Sequence, residues 1–211
     1  MRRHPIMNPS APVAAAIALL FLASCAGLSK TYPERRFFDV RAAREGAPRD
    51  PAPATVLEIA RFSVSPRYES TEIVRRTGDL AFESDYYDVF FVPPDAMATD
   101  EARNWLSRSG VFERVVDASS RAEETHLLEG NIAALYGDVR DGASPRAVFE
   151  LQVLLLDRRA DPPAVLVGKT YERSLPVADG TAGELAKGWS RALTEILGEV
   201  EEDAARAAGA P

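Results

Sequence analysis

Few side chains in this sequence have reactive chemistry, and the most reactive is Cys25, the only cysteine in 211 residues. Its thiol is suited to act as a nucleophile, to pair with another chain, or to be alkylated. It cannot form an internal disulfide, and an odd cysteine always needs an account. Of the two histidines, His126 lies in an alternating stretch beside Leu127 and Leu128. That setting reads as a core or edge histidine. One such imidazole with no second thiol does not make a zinc site of the usual kind. No glycine-rich phosphate loop is present. The acidic runs Glu123-Glu124 and Glu201-Glu202-Asp203 read as solvated faces. Asp138, Asp141 and Asp157 flank turns, where aspartate is favoured for its local hydrogen bonding. The expectation is therefore a non-enzyme with no catalytic residue, no metal and no diffusible cofactor.

The surroundings of Cys25 explain the thiol differently. Arg2 and Arg3 open the chain, an apolar run from Ala11 to Leu22 follows, and Leu22-Ala23-Ser24-Cys25 ends it. A basic start, a short apolar core and small residues before a cut site are the parts of a secretory signal peptide. The apolar run is about a dozen residues, short of the roughly 20 that a spanning helix needs. Leu-Ala-Ser-Cys resembles the bacterial lipobox. That resemblance implies cleavage between Ser24 and Cys25 and covalent lipid on Cys25, with two or more acyl chains giving a stable anchor. Ala26, in place of aspartate after the cysteine, points to the outer membrane, facing the periplasm. The boundaries read as a signal peptide over 1–24, a lipidated tether over 25–36, one domain over 37–203 and a flexible tail over 204–211.

Composition bounds the partners. Apolar residues make up 46% of the chain, enough for a real core. The net charge is −7, and it becomes −9 once Arg2 and Arg3 are removed. An acidic chain is a poor nucleic-acid binder, because phosphate contacts dominate that affinity. Membrane attachment then rests on the lipid anchor and not on charge alone.

The elements that position any site follow from periodicity. Phe37, Phe38 and Val40 form a first short strand, and the proline-bearing stretch 41–54 reads as a loop with little to bury. Strands follow around Val56–Phe62, Ile73–Val74 and Leu80–Phe82, the last two about a Gly78-Asp79 turn, and then over Tyr86–Val92. Ala98, Ala102, Trp105 and Leu106 repeat at helical spacing, with Gly110 as the stop. Val111–Val116 returns to the sheet, and long strands occupy about Thr125–Val139, Arg146–Asp157 and Ala164–Val177. Phe149, Leu151, Val153 and Leu155 mark one buried face of the middle strand. A second helix begins at a Thr181–Glu184 capping box and carries the stripe Leu185, Trp189, Ala192, Leu193, Ile196 and Val200. This order predicts an α+β fold: a largely antiparallel sheet with two helices packed on one face.

Candidate contact residues are aromatic. Tyr86, Tyr87, Phe90 and Phe91 place rings on both faces of one strand, which implies burial on both sides or exposure of one side to a partner or to lipid. Trp105 and Trp189 sit on the helical stripes, where they either pack the core or line an apolar groove.

Several segments together resemble the ABC-type transport auxiliary lipoproteins that accompany mammalian-cell-entry (MCE) transporters. They are Ser65-Pro66-Arg67-Tyr68 with Glu72–Arg76, the stretch Tyr86–Val116, Leu128–Ile132 through Leu135–Asp138, and the C-terminal helix. The resemblance implies a non-catalytic, periplasm-facing component of a system that moves phospholipids or other hydrophobic molecules between membranes. The implied partners are an MCE-domain protein and its permease and ATPase subunits, with lipid as cargo; homo-oligomerisation is left open. Phe90-Phe91-Val92-Pro93-Pro94 departs from the Trp-Ala-Glu-Pro-like stretch of many relatives. A general outer-membrane assembly or structural envelope lipoprotein is the alternative.

Overall fold

The structure, a computed structural model, describes residues 34–210. The signal peptide, Ser24, Cys25 and the tether up to residue 33 lie outside the described residues. From Arg35 onward the chain forms one compact unit. Its elements are β1 (Arg36–Phe38), β2 (Ala52–Ile59), β3 (Ser63–Val64), β4 (Glu72–Arg76), β5 (Phe82–Phe90), α1 (Pro94–Ser109), β6 (Phe112–Asp117), β7 (His126–Asp138), β8 (Arg146–Asp157), β9 (Ala164–Pro176) and α2 (Ala182–Ala208).

The class α+β holds, but the sheet is mixed and not largely antiparallel. Strand β7 is its axis. It pairs antiparallel with β8 along nearly its whole length. Its other edge is filled in turn by β2, β3 and β4, all parallel to it. Strand β2 also pairs parallel with β6, and β1 pairs parallel with β5. The β4–β5 and β8–β9 pairs are antiparallel hairpins. Hairpins are local and announce themselves by turns such as Gly78-Asp79. Parallel pairs join distant segments through crossovers, and strand periodicity carries no trace of them.

The helices seal the core. Phe149, Leu151, Val153 and Leu155 are buried on β8, as alternation predicts. Helix α2 lies over β8 and β9 with Leu185, Trp189, Ala192, Leu193, Ile196 and Val200 all buried. Gly188 allows this approach, since a Cβ there would collide with Ala147 and Val177. The Thr181 hydroxyl makes no cap to the helix backbone; it donates to Asp179 instead. The helix continues through Ala208 with Ala204 and Ala205 buried, so residues 204–208 belong to it and not to a flexible tail.

The stretch between β1 and β2 is irregular and buries little, as its composition predicts, and it runs as a strap across both helices. Its successive amides find partners on alternate helices. The Arg41 N–H donates to Ser190 Oγ at 3.2 Å, Ala42 to Glu101 Oε2 at 2.8 Å, and Ala43 to Thr194 Oγ1 at 3.0 Å. Val40, at its start, is fully buried. At its far end the Arg49 amide bonds the Ser109 carbonyl. Gly110, left-handed at φ 72°, closes α1 there, where a side chain would strike the Arg49 backbone.

Candidate functional site

The four candidate aromatics, three on β5 and Phe91 just after it, divide sharply. Phe90 is buried, with its ring centroid 5.4 Å from that of Trp189, and is a core residue. Phe91 is 69% exposed, Tyr86 is 63% exposed and Tyr87 is 36% exposed. Phe37 of β1, 59% exposed, joins them by packing edge-on against Phe91 at 6.2 Å. The Tyr86 and Tyr87 rings meet edge-on at 5.2 Å. These rings form an aromatic edge where β1 closes the sheet.

A bulge carries the two tyrosines. Asp85 stands opposite Ile73 on β4, yet the next partnered position pairs Val89 with Glu72. Residues 86–88 are therefore extra on β5, and such a bulge bends the strand and re-aims its side chains, Tyr86 and Tyr87 outward and Asp88 inward. The Asp85 carboxylate holds the bulge by accepting the Tyr87 N–H at 2.9 Å and the Asp88 N–H at 3.0 Å. Burial pulls the Asp85 carboxyl upward, but the Arg75 hydrogen bond and these two amides outweigh it and hold it below the usual carboxylate range.

Guanidinium groups complete the edge. Arg36 grips Asp88 through two bonds of 2.6 Å. Arg75 donates to Asp85 at 2.7 Å and lies 3.9 Å from Asp88. Arg35 donates to the Tyr86 carbonyl at 3.0 Å and lies over the Tyr86 ring at 4.9 Å. The arrangement sets exposed rings beside charge-matched carboxylates.

Trp105, the fifth candidate, is not at this edge; it lies at the floor of a shallow depression between the stretch 41–45 and the C-terminal helix. It is buried, and its indole N–H donates to Glu201 Oε2 at 2.7 Å. Glu201 also takes two bonds of 2.9 Å from Arg44 of the strap and one of 3.4 Å from Arg49. Burial raises the Glu201 carboxyl, and the bonds from Arg44 and Trp105 more than reverse this, leaving it below its ordinary value. The cluster fastens the strap to α2.

His126 is fully buried against Phe112. Its Nδ1 lies 2.8 Å from Thr125 Oγ1, and its Nε2 has no hydrogen-bond partner. Burial, then the nearby Arg159, lower its pKa, with Asp157 opposing. Among the described residues no cluster of His, Cys, Asp or Glu is arranged to hold a metal. No described helix is long and apolar enough to cross a membrane.

Phe37 and Arg35 are the edge residues that sequence reasoning missed. Phe37 looked like part of a compact apolar strand. Only the parallel pairing of β1 with β5 reveals that it is left uncovered.

No protein-family model matches the chain, and no curated protein matches it. Solved structures share its fold. A DUF330-family protein from Xanthomonas campestris superposes with a TM-score of 0.67 at 18% identity, covering 82% of this chain and 95% of that one. An uncharacterised protein gives 0.63 at 13% identity, covering 81% and 98%. A hypothetical protein from Chlamydia trachomatis gives 0.50 at 12%, covering 71% and 97%. At such identities the likeness is one of fold.

Proposed function

We propose that this chain is a non-catalytic lipoprotein component of an MCE-type ABC transport system. It is anchored in the outer membrane through acylated Cys25, faces the periplasm, and serves the movement of phospholipids or other hydrophobic molecules between membranes. The observation that carries the reading is the lipobox Leu22–Cys25, followed by the ordered segments from Ser65 to the C-terminal helix that resemble the auxiliary lipoproteins. The geometry is compatible with a binding role, because the exposed large apolar side chains include four rings on β1, on β5 and directly after β5. Large exposed apolar patches mark contact surfaces.

Affinity capture of the full-length protein from solubilised envelopes tests the partner assignment. The expected result is co-recovery of an MCE-domain protein, with a permease and an ATPase encoded nearby. Recovery of an outer-membrane barrel alone, with no MCE gene in the neighbourhood, would overturn it in favour of an envelope-assembly role. Cys25→Ala tests the anchor: the variant should fold and move to the soluble periplasmic fraction. Retention on the membrane would exclude the acylated cysteine as the anchor.

A further inference from the structure

We propose that the β1–β5 aromatic edge is a membrane-contact surface, seated in the headgroup layer of the bilayer that holds the acyl chains of Cys25. This rests on the reading of Cys25 as the acylated residue. The first argument is chain length. Residues 26–34 alone separate Cys25 from Arg35, which adjoins β1. Ten residue steps reach at most roughly 35 Å when fully extended. Whatever the path of that segment, Phe37 and its neighbours stay within a short radius of the bilayer. A weak contact there acts at high effective concentration.

The second argument is chemistry. Phe37 and Phe91 offer apolar rings, and Tyr86 and Tyr87 offer rings with a polar tip. This mixture suits the boundary between acyl chains and water. The tyrosines stand out on the Asp85–Asp88 bulge. Arg35 is held by a carbonyl and a ring, so its charge is available to a lipid phosphate. The bulge carboxylates are matched, Asp88 by Arg36 and Asp85 by Arg75. Glu34 and Glu83 remain exposed beside the edge, which leaves the rings as the main attachment. The chain as a whole is acidic and is repelled by anionic lipid, so this edge stands apart from its surroundings.

The test uses the full-length acylated protein in vesicles of phosphatidylethanolamine and phosphatidylglycerol. Because Cys25 is the only cysteine, acylation leaves an introduced thiol as the single labelling site. Phe37→Cys and Phe91→Cys are labelled with an environment-sensitive nitrobenzoxadiazole dye. Ala160→Cys, in the exposed turn at the far end of β8 and β9, is the control. Tyr86→Cys replaces either edge variant that fails to fold. The expected result is quenching by spin-labelled lipid several-fold stronger at the edge than at Ala160→Cys, together with shielding of the edge from aqueous iodide. Equal access of iodide to all positions, in protein that floats with the vesicles, would overturn the contact alone. Iodide shielding without lipid quenching would also overturn it, showing the edge covered by protein, such as a second copy. Protein that fails to float and presents a titratable thiol at Cys25 would overturn the anchor reading and this one with it.

Discussion

Two arginine–carboxylate clusters accompany aromatic rings in this fold, and they are put to opposite uses. At the helix junction Arg44 and Glu201 have side chains only 7% and 9% exposed, and Trp105 turns its N–H inward to the same carboxylate. At the sheet edge Asp88 is buried, but Arg36 is 67% exposed and the Tyr86 ring faces outward. The inner cluster satisfies charges that cannot reach water, so each member depends on the others. The outer cluster neutralises a strand bulge while its rings and one guanidinium stay free. A ring beside a salt bridge is therefore a structural part in one place and an exposed surface in the other, and burial decides which.

That contrast is open to breakage. The largest effect belongs to Glu201→Ala, which leaves the Arg44 guanidinium buried without its carboxylate. Breaking a buried pair in this way costs about 3–5 kcal/mol. Urea denaturation followed by tryptophan fluorescence should show it, with Asp88→Ala clearly milder. Equal losses would erase the distinction between the clusters. Next comes Trp105→Phe, which keeps most of the ring but removes the N–H donated to Glu201. The expected cost is about 1–3 kcal/mol, since a buried acceptor loses a partner.

Acidity probes the interior in a graded way. Glu201 is held below its ordinary 4.5 in the fold, so its contribution to stability is full above 4.5 and is lost as pH falls through the lowered value. His126 is lowered from 6.5, and it stays neutral in the fold while the unfolded chain takes up a proton. Its contribution is full above 6.5 and declines as pH falls below that value. Denaturation midpoints should therefore drop from neutral pH towards about pH 5, and His126→Gln should flatten that step. An unchanged slope would place the titrating group elsewhere. The smallest effect is expected at the sheet edge. Phe91→Ser and Tyr86→Ser should each shift unfolding by less than about 0.5 kcal/mol, because exposed rings contribute little to the fold. A large loss at either position would make the edge part of the core.

Local order is legible in the sequence. The stripe from Leu185 to Val200, the buried face of β8 and the Gly110 stop follow from periodicity and backbone chemistry, which act over a few residues. What failed depends on distant pairing. The parallel neighbours β1–β5 and β2–β6 made the sheet mixed, and no strand pattern records a partner. The candidate site was half legible for the same reason. Tyr86, Tyr87 and Phe91 reach the surface, while Phe90 turns to Trp189 and Trp105 turns to Glu201. Aromatic content alone cannot tell these cases apart, since both settings call for large rings. The strap is legible as a loop because its alanines and arginines carry no apolar repeat, but its anchoring is not. It is held by amide hydrogen bonds to side chains on the two helices, which hydropathy does not see.

The strap also settles how the domain would bear a load. A pull on the chain ahead of Arg35 enters at β1, whose hydrogen bonds to β5 run across the strand and are loaded in shear by a force along its axis. Should β1 slip, the force passes next to residues 41–44, tied by turns to α2, α1, α2 and then Glu201. The tension is thus shared between both helices at once, and the domain is built to stay shut while it is tugged by its leading end.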